Sequence, residues 1–351
     1  MTELNEEQFT ETVERVKAAL AGVDAGTGAT MLPTETADEI IEIVYERNFM
    51  RSIFPSIPMS TKTINVPSLT GSIAFHEQTL AETEAGTAAA ESRPSTGEVT
   101  MTLKTMIANV PIGNYLIAYG VEGLLNVIRD DIASRLAHNE QNLFLNGDTE
   151  AGNSYADNIN GAYNASTNTS GVNASTNDYL LMFDGLRKLA GKSSTVGGAF
   201  AASHLATAIK ELGVYAENRS DLCLIVSRNL EVQLLGLSQL QTVDKYGPEA
   251  TIVTGEVGKI YGIRVFATSV MRDNLNASGV FDGTTTDKTM ALLLHMRSPL
   301  LGNPTVADRR FSIDFHDEPH KDRFLLVPRQ DVAFAVRYAD AICKMVSINT
   351  V

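Results

Sequence analysis

At 351 residues, 44% hydrophobic and 20% charged, the chain has a globular composition and enough length for two domains with a sizeable core. Its net charge of −14 argues against a dedicated nucleic-acid binder, which needs a basic surface, but leaves room for a basic local patch. No apolar run approaches the ~18 residues of a membrane span, and the first turns are rich in Glu rather than Lys or Arg, so neither a membrane segment nor a secretory signal is expected.

In chain order, residues 1–30 read as an N-terminal arm. Phe9, Val13, Val16 and Leu20 recur at helical spacing among glutamates, and GVDAGTGAT (Gly22–Thr30) follows as a flexible link. Such an arm either docks on a neighbour or stays solvated. Residues 31–60 hold a short helix and a connection. Thr36 with Glu39 forms a capping box, Ile40, Ile41, Ile43 and Val44 give the apolar face, and PSIPMS (Pro55–Ser60) breaks the pattern.

Residues 61–112 read as an extended β-hairpin loop. The outgoing arm Thr61–Val66 and the returning arm Val99–Met106 both alternate, with many threonines. Between them, Glu77–Gly97 has almost no large apolar residue and cannot bury itself against a core. Exposed strand edges invite pairing with other chains, so the ribbon makes most sense lying on a neighbouring subunit. Lys62, Ile64, Val66, Phe75, Met101, Leu103 and Lys104 are its candidate intersubunit contacts.

Residues 113–150 are dominated by one long helix. Val121, Leu124, Leu125, Ile128, Ile132, Leu136 and Leu143 form a single stripe. Arg129, Asp130, Asp131, Arg135, His138, Asn139 and Glu140 suit water or a polar neighbour. No proline interrupts the helix, and Asn146-Gly147 supplies the left-handed residue that commonly ends one. About 26 residues make a rod of roughly 39 Å, a spine for its domain.

Residues 151–300 start with a Ser/Thr/Asn/Gly-rich surface loop to Asp178 and then alternate helix and strand. The expected helices are Tyr179–Ala190, Ser203–Asn218 and Asn229–Leu240. The expected strands are Leu222–Val226, Gly262–Ala267 and Met290–Leu294. Residues 301–351 return to strand character in Phe311–Phe315 and in two runs between Phe324 and Ile348, forming a sheet packed on the spine.

Few residues look chemical. Gly255–Lys259 lacks Walker spacing and reads as a bend between strands. His316 and His320 are split by Pro319 and read as solvated, not as metal ligands. No Ser–His–Asp or Cys–His setting occurs. Cys223 and Cys343 sit in apolar runs and are expected as buried free thiols. No catalytic residue, metal or cofactor is therefore expected. Arg309-Arg310 begins a basic cluster with Lys321, Arg323, Arg329 and Arg337, which pairs with a neighbour's acidic surface or touches packaged nucleic acid.

A long helix ending in NLFLNGD (Asn142–Asp148), entered through NVPIGNYLI (Asn109–Ile117), together with IYGIRVFATSV (Ile260–Val270), resembles the tailed-bacteriophage major capsid protein family. The order of arm, ribbon, spine, α/β domain and returning sheet matches over nearly the whole chain. The resemblance implies an α+β fold with N-terminal arm, extended loop, spine helix with peripheral sheet, and α/β axial domain. It implies a homo-oligomer of pentamers and hexamers closing into an icosahedral shell around double-stranded DNA, contacted non-specifically. A separate scaffolding protein, a portal and a decoration protein are the implied partners, with no membrane. Assembly in the host cytoplasm and residence in the virion follow from it. The covalent Lys–Asn cross-link of some members is not carried over, because neither Lys62 nor Lys104 matches its motif. Encapsulin compartments share this fold and form the alternative, with a soluble α/β enzyme more remote.

Overall fold

The computed structural model describes residues 48–69, 71, 73–77, 92–114, 124–150, 158–161, 178–237, 240–241, 256–305, 309–314 and 322–350. The expected acidic arm, the helix capped by Thr36, and His316 and His320 lie outside them. The chain divides into two compact units. The larger comprises Glu46–Met106, Leu136–Arg309 and Gln330–Val351; the smaller comprises Met1–Tyr45, Ile107–Arg135 and Arg310–Arg329.

The described strands are β1 (Ser56–Met59), β2 (Thr63–Leu69), β3 (Thr96–Thr102), β4 (Lys104–Ile107), β5 (Val110–Gly113), β6 (Lys192–Gly198), β7 (Leu222–Ser227), β8 (Leu240–Gln241), β9 (Glu256–Ile260), β10 (Ile263–Thr268), β11 (Lys288–His295), β12 (Pro299–Pro304), β13 (Arg309–Asp314), β14 (Arg323–Val336) and β15 (Ile342–Asn349). The longer helices are α1 (Leu124–Asn146), α2 (Ala202–Leu212) and α3 (Arg228–Leu235).

The larger unit is built on a seven-stranded sheet in the order β6-β15-β11-β7-β10-β9-β8. β6 runs parallel to β15 and β7 parallel to β10; the other neighbours are antiparallel. Both faces of its centre are covered, which is why LCLIV is a continuous apolar run rather than an alternating one. Leu222, Leu224 and Val226 face one core with Leu205, Ala208 and Leu212 of α2 and with Leu230 and Leu234 of α3. Cys223 and Ile225 face the opposite core with Leu143, Phe144 and Leu145 from the end of α1. β11 divides its side chains the same way: Met290, Leu292 and Leu294 one way, Ala291 and Leu293 the other. The two cysteines are free and buried. Burial pushes the Cys343 thiol up to about 11 and Cys223 higher still, so both are inert packing groups.

Local signals set the element ends. Ser227 caps α3 by accepting the Leu230 N–H. Ile260 pairs with Ile263 across a two-residue turn in which Tyr261 (φ 52°) and Gly262 (φ 82°) are both left-handed, the type I′ arrangement. The bend expected at Gly255–Lys259 is therefore two residues later, because Gly258 and Lys259 belong to β9.

A second sheet has the order β1-β12-β14-β13, with β4 and β5 also on β14. In the larger unit, β1 pairs parallel with β12, and β12 antiparallel with the end of β14. The segment expected to be a break, PSIPMS, thus contains a strand. In the smaller unit, β5 pairs antiparallel with Arg323–Leu326. The two C-terminal runs part company: β14 carries Phe334, stacked on Phe144 of α1 at 5.1 Å, while β15 joins the seven-stranded sheet. The expected helix Tyr179–Ala190 is interrupted; only Tyr179–Leu181 and Leu186–Leu189 are helical, as short turns.

α1 has 23 described residues, a rod of about 35 Å. Ile132, Leu136 and Leu143 are buried as the stripe requires, and from Leu143 to Asp148 every residue is buried. Gly147 is not left-handed as expected. Its glycine is required by space: a Cβ there would lie 2.3 Å from the Phe183 carbonyl oxygen and 2.6 Å from that of Leu143.

Candidate assembly surfaces

β2 and β3 form their own two-stranded sheet, in register from Thr63 opposite Thr102 to Leu69 opposite Thr96. Alternation gives the hairpin two faces. Thr63, Asn65, Glu98 and Thr100 are exposed, while Ile64, Val66 and Val99 are half-buried. At its base, Met101 is completely buried with Met59, Leu300 and Ala333, and Ile64, Val66 and Leu103 pack against that group. Met101 is therefore a core residue of its own subunit and not an intersubunit contact: the strand period turns it inward, and the β1–β12–β14 sheet covers it. Lys104 is also engaged at home. Its ammonium donates to the Met182 carbonyl and lies 5.2 Å over the Phe183 ring.

Past Leu69 the hairpin loses this support. Ile73 is 51% and Phe75 94% exposed, and Lys62 is exposed at the base. A nearly bare phenylalanine forfeits about 1.5–3 kcal/mol of burial unless a partner covers it. The returning arm leaves the ribbon at Leu103, whose N–H donates to the Lys62 carbonyl (2.8 Å), and β4 crosses to β14. Of the basic cluster, Arg309 and Arg310 open β13, and Arg323 opens β14, its paired neighbour. Arg323 is half-buried and Arg329 exposed.

The end of α1 is tied to the larger unit by a buried polar junction. Asn146 donates to the Val270 carbonyl (2.9 Å), and its side-chain oxygen accepts from Arg187 (2.7 Å). Arg187, 2% exposed, also donates to Asn160 and to the Gly279 carbonyl. Burial, reinforced by the Arg272 charge and opposed by Asp148, pushes the Arg187 guanidinium down to about 9. It stays charged at neutral pH. α1 has no basic residue in its own last turn, so Arg187 supplies the positive charge that its C-terminal dipole favours. Asp148, 1% exposed, accepts from the Ile159 and Glu150 N–H groups and pairs with Lys188. Gly185 donates its N–H to the Gly147 carbonyl (2.8 Å). NLFLNGD is thus a docking motif, and nothing in the run YLLMFDGLRKLA marked Arg187 or Lys188 as its partners.

Asp184 belongs to the same junction. Burial works against its charge, but the Thr149 N–H and hydroxyl and the Lys188 ammonium outweigh burial and hold its pKa below 3.8. A depressed folded pKa means stability that is complete above the unfolded value and lost as pH falls through the folded one. Asp184→Asn is therefore expected to flatten the acid limb of a stability–pH curve below about pH 4 and to change little at pH 7 beyond a uniform offset. Urea midpoints across that range check this.

Glu140, assigned to the polar face of α1, is fully buried in the larger unit. Its carboxylate accepts from Arg51 Nε at 2.8 and 2.9 Å and from Asn48 at 3.0 Å, and Arg51 also bonds Asn303. Arg51→Ala leaves a buried carboxylate without its cation, a loss of about 3–5 kcal/mol in a dry site; Arg51 is partly exposed, so about 2–3 kcal/mol is expected from urea unfolding.

Among the described residues, the other exposed large apolar side chains of this unit are Val214, Val232, Leu235 and Tyr261, and Ile107 is exposed in the smaller one. Among the described residues no cluster of three or more Asp, Glu, His or Cys side chains is placed to hold a metal, and no helix is long and apolar enough to cross a membrane.

The phage capsid family model matches residues 28–209. The major capsid protein of Klebsiella oxytoca phage phiKO2 is 30% identical over 125 residues, 35% of this chain and 28% of that protein; the aligned stretch spans less than a third of the relative. Among solved structures, the capsid of the native GTA particle superposes with a TM-score of 0.57 at 15% identity, covering 93% of this chain and 98% of that one. Microbacterium phage Oxtober96 gives 0.56 at 16% identity over 91% and 97%. Mycobacterium phage Ogopogo gives 0.57 at 10% over 91% and 98%. At these identities the structural likeness speaks for the fold.

Proposed function

The chain belongs to the phage capsid family and has the fold of tailed-phage capsid subunits, and on that basis we propose that it is a major capsid protein whose copies build the shell around a tailed-phage genome. The observation that carries this reading is the hairpin, docked at Met101 and bare at Phe75. A subunit that leaves Ile73 and Phe75 bare past the end of β2 recovers that cost against another copy. Pentamers and hexamers of an icosahedral shell are the proposed assembly. The basic cluster that includes Arg309, Arg310, Arg323 and exposed Arg329 would pair with acidic surface on neighbouring copies or touch the enclosed DNA. A scaffolding protein, portal and decoration protein are the proposed partners.

Electron microscopy of the purified protein tests the reading. Closed isometric shells are expected; a monodisperse monomer under every assembly condition tried would contradict it. Shells isolated with cargo enzymes in place of DNA would favour a cellular compartment instead.

A further inference from the structure

The tightest turn of the seven-stranded sheet carries an unusual residue. Both central positions of a type I′ turn need positive φ, which suits Asn, Asp or Gly. Here the first is Tyr261, at φ 52°, a conformation that is an outlier for a bulky side chain. The ring is 37% exposed and makes no hydrogen bond or ring contact among the described residues. Local strain held at an exposed site points to a use for the side chain outside its own fold.

The surroundings indicate what that use is. β7 and β10 run parallel, so the segments leading into them, Gly213–Asp221 and Tyr261-Gly262, emerge at one end of the sheet. Gly262 lies directly against Arg219, 3.9 Å from a built Cβ to the Arg219 Cβ. That end therefore presents Val214, 82% exposed, together with Tyr261. Exposed charges of both signs share this end of the sheet: Arg219 and Glu217 in the segment before β7, Arg297 after β11, and Asp340, paired with Lys192, before β15. A nucleic acid would call for one sign. An apolar pair beside charges of both signs is the pattern that a rotated copy of the same surface can complement, with each cation opposite an anion.

We propose that the Tyr261-Gly262 turn, with Val214, is a contact element between adjacent copies of this chain, Tyr261 being the anchor held in a strained turn for that purpose. The inference rests on the shell-forming reading and names a specific part of the surface that serves it.

The test separates stability from association. Tyr261→Asn places the residue favoured by a type I′ turn, so the unassembled subunit should melt at the same temperature or about 2 °C higher. The same variant should need roughly tenfold more protein to assemble, measured by light scattering. Tyr261→Phe, which keeps the ring, should assemble like the parent. The inference is overturned if Tyr261→Asn assembles at the parent concentration, or if it lowers the melting temperature, which would mean the ring packs on its own chain. Failure of the parent protein to form any shell would instead remove the shell-forming reading itself.

Discussion

Gly147→Ala is expected to cost the subunit about 4 kcal/mol, the range in which single substitutions are diagnostic of a specific steric conflict. The added Cβ would meet backbone oxygens of Phe183 and Leu143, and neither is the movable end of a side chain. Relief would require the end of α1 to separate from Gly185, which breaks the Gly185 N–H bond to the Gly147 carbonyl and the Asp148 N–H bond to the Leu180 carbonyl. It would also disturb the fully buried Arg187 and Asp148, whose partners lie within the same few residues. Gly198→Ala is the control: no heavy atom lies within 4 Å of its built Cβ, and a change within about 0.5 kcal/mol is expected. Urea unfolding of the unassembled subunit measures both. Equal midpoints for the two variants would contradict the account of this junction.

The second large effect is on assembly. Excising residues 73–93 and closing the gap with a short glycine linker removes Ile73 and Phe75 but keeps β2, β3 and the Gly71 N–H bond to the Ser95 carbonyl that closes them. Nothing in the Met59–Met101–Leu300–Ala333 core is touched, so the melting temperature should stay within about 2 °C. Shell formation should be lost. A truncated protein that yields normal particles would show that the ribbon tip is dispensable, and the case for a ribbon lying on its neighbour would fail.

The fold was legible where one residue-level force dominated. LCLIV and MALLL announced buried strands because both faces of the sheet are covered, and the stripe of α1 is present at Ile132, Leu136 and Leu143. β6 was illegible. KSSTVGG has little apolar content, and it is a strand because β15 offers it a parallel ladder at the sheet edge. β1 was hidden by Pro55 just before it and by Pro58 within it, which sits opposite Asn303.

The candidate surface was half legible. Alternation in Thr61–Val66 and Val99–Met106 found the hairpin, but period-two patterning cannot say which partner receives the apolar face. For Met101 that partner is the subunit's own β1–β12–β14 core. Phe75, by contrast, is 94% exposed, so its apolar ring is open to a partner. The polar junction under α1 was invisible. Glu140 and Arg187 look like solvated helix positions in one dimension, and only the fold brings Arg51 to the first and Asn146 to the second.

The central claim is that each copy covers part of another with its hairpin. A cryo-electron microscopy map of assembled particles, resolved to side chains, tests it at one residue. Phe75 should lie in van der Waals contact with apolar groups of an adjacent copy. A map in which its ring faces solvent, or rests only on its own chain, would contradict the claim.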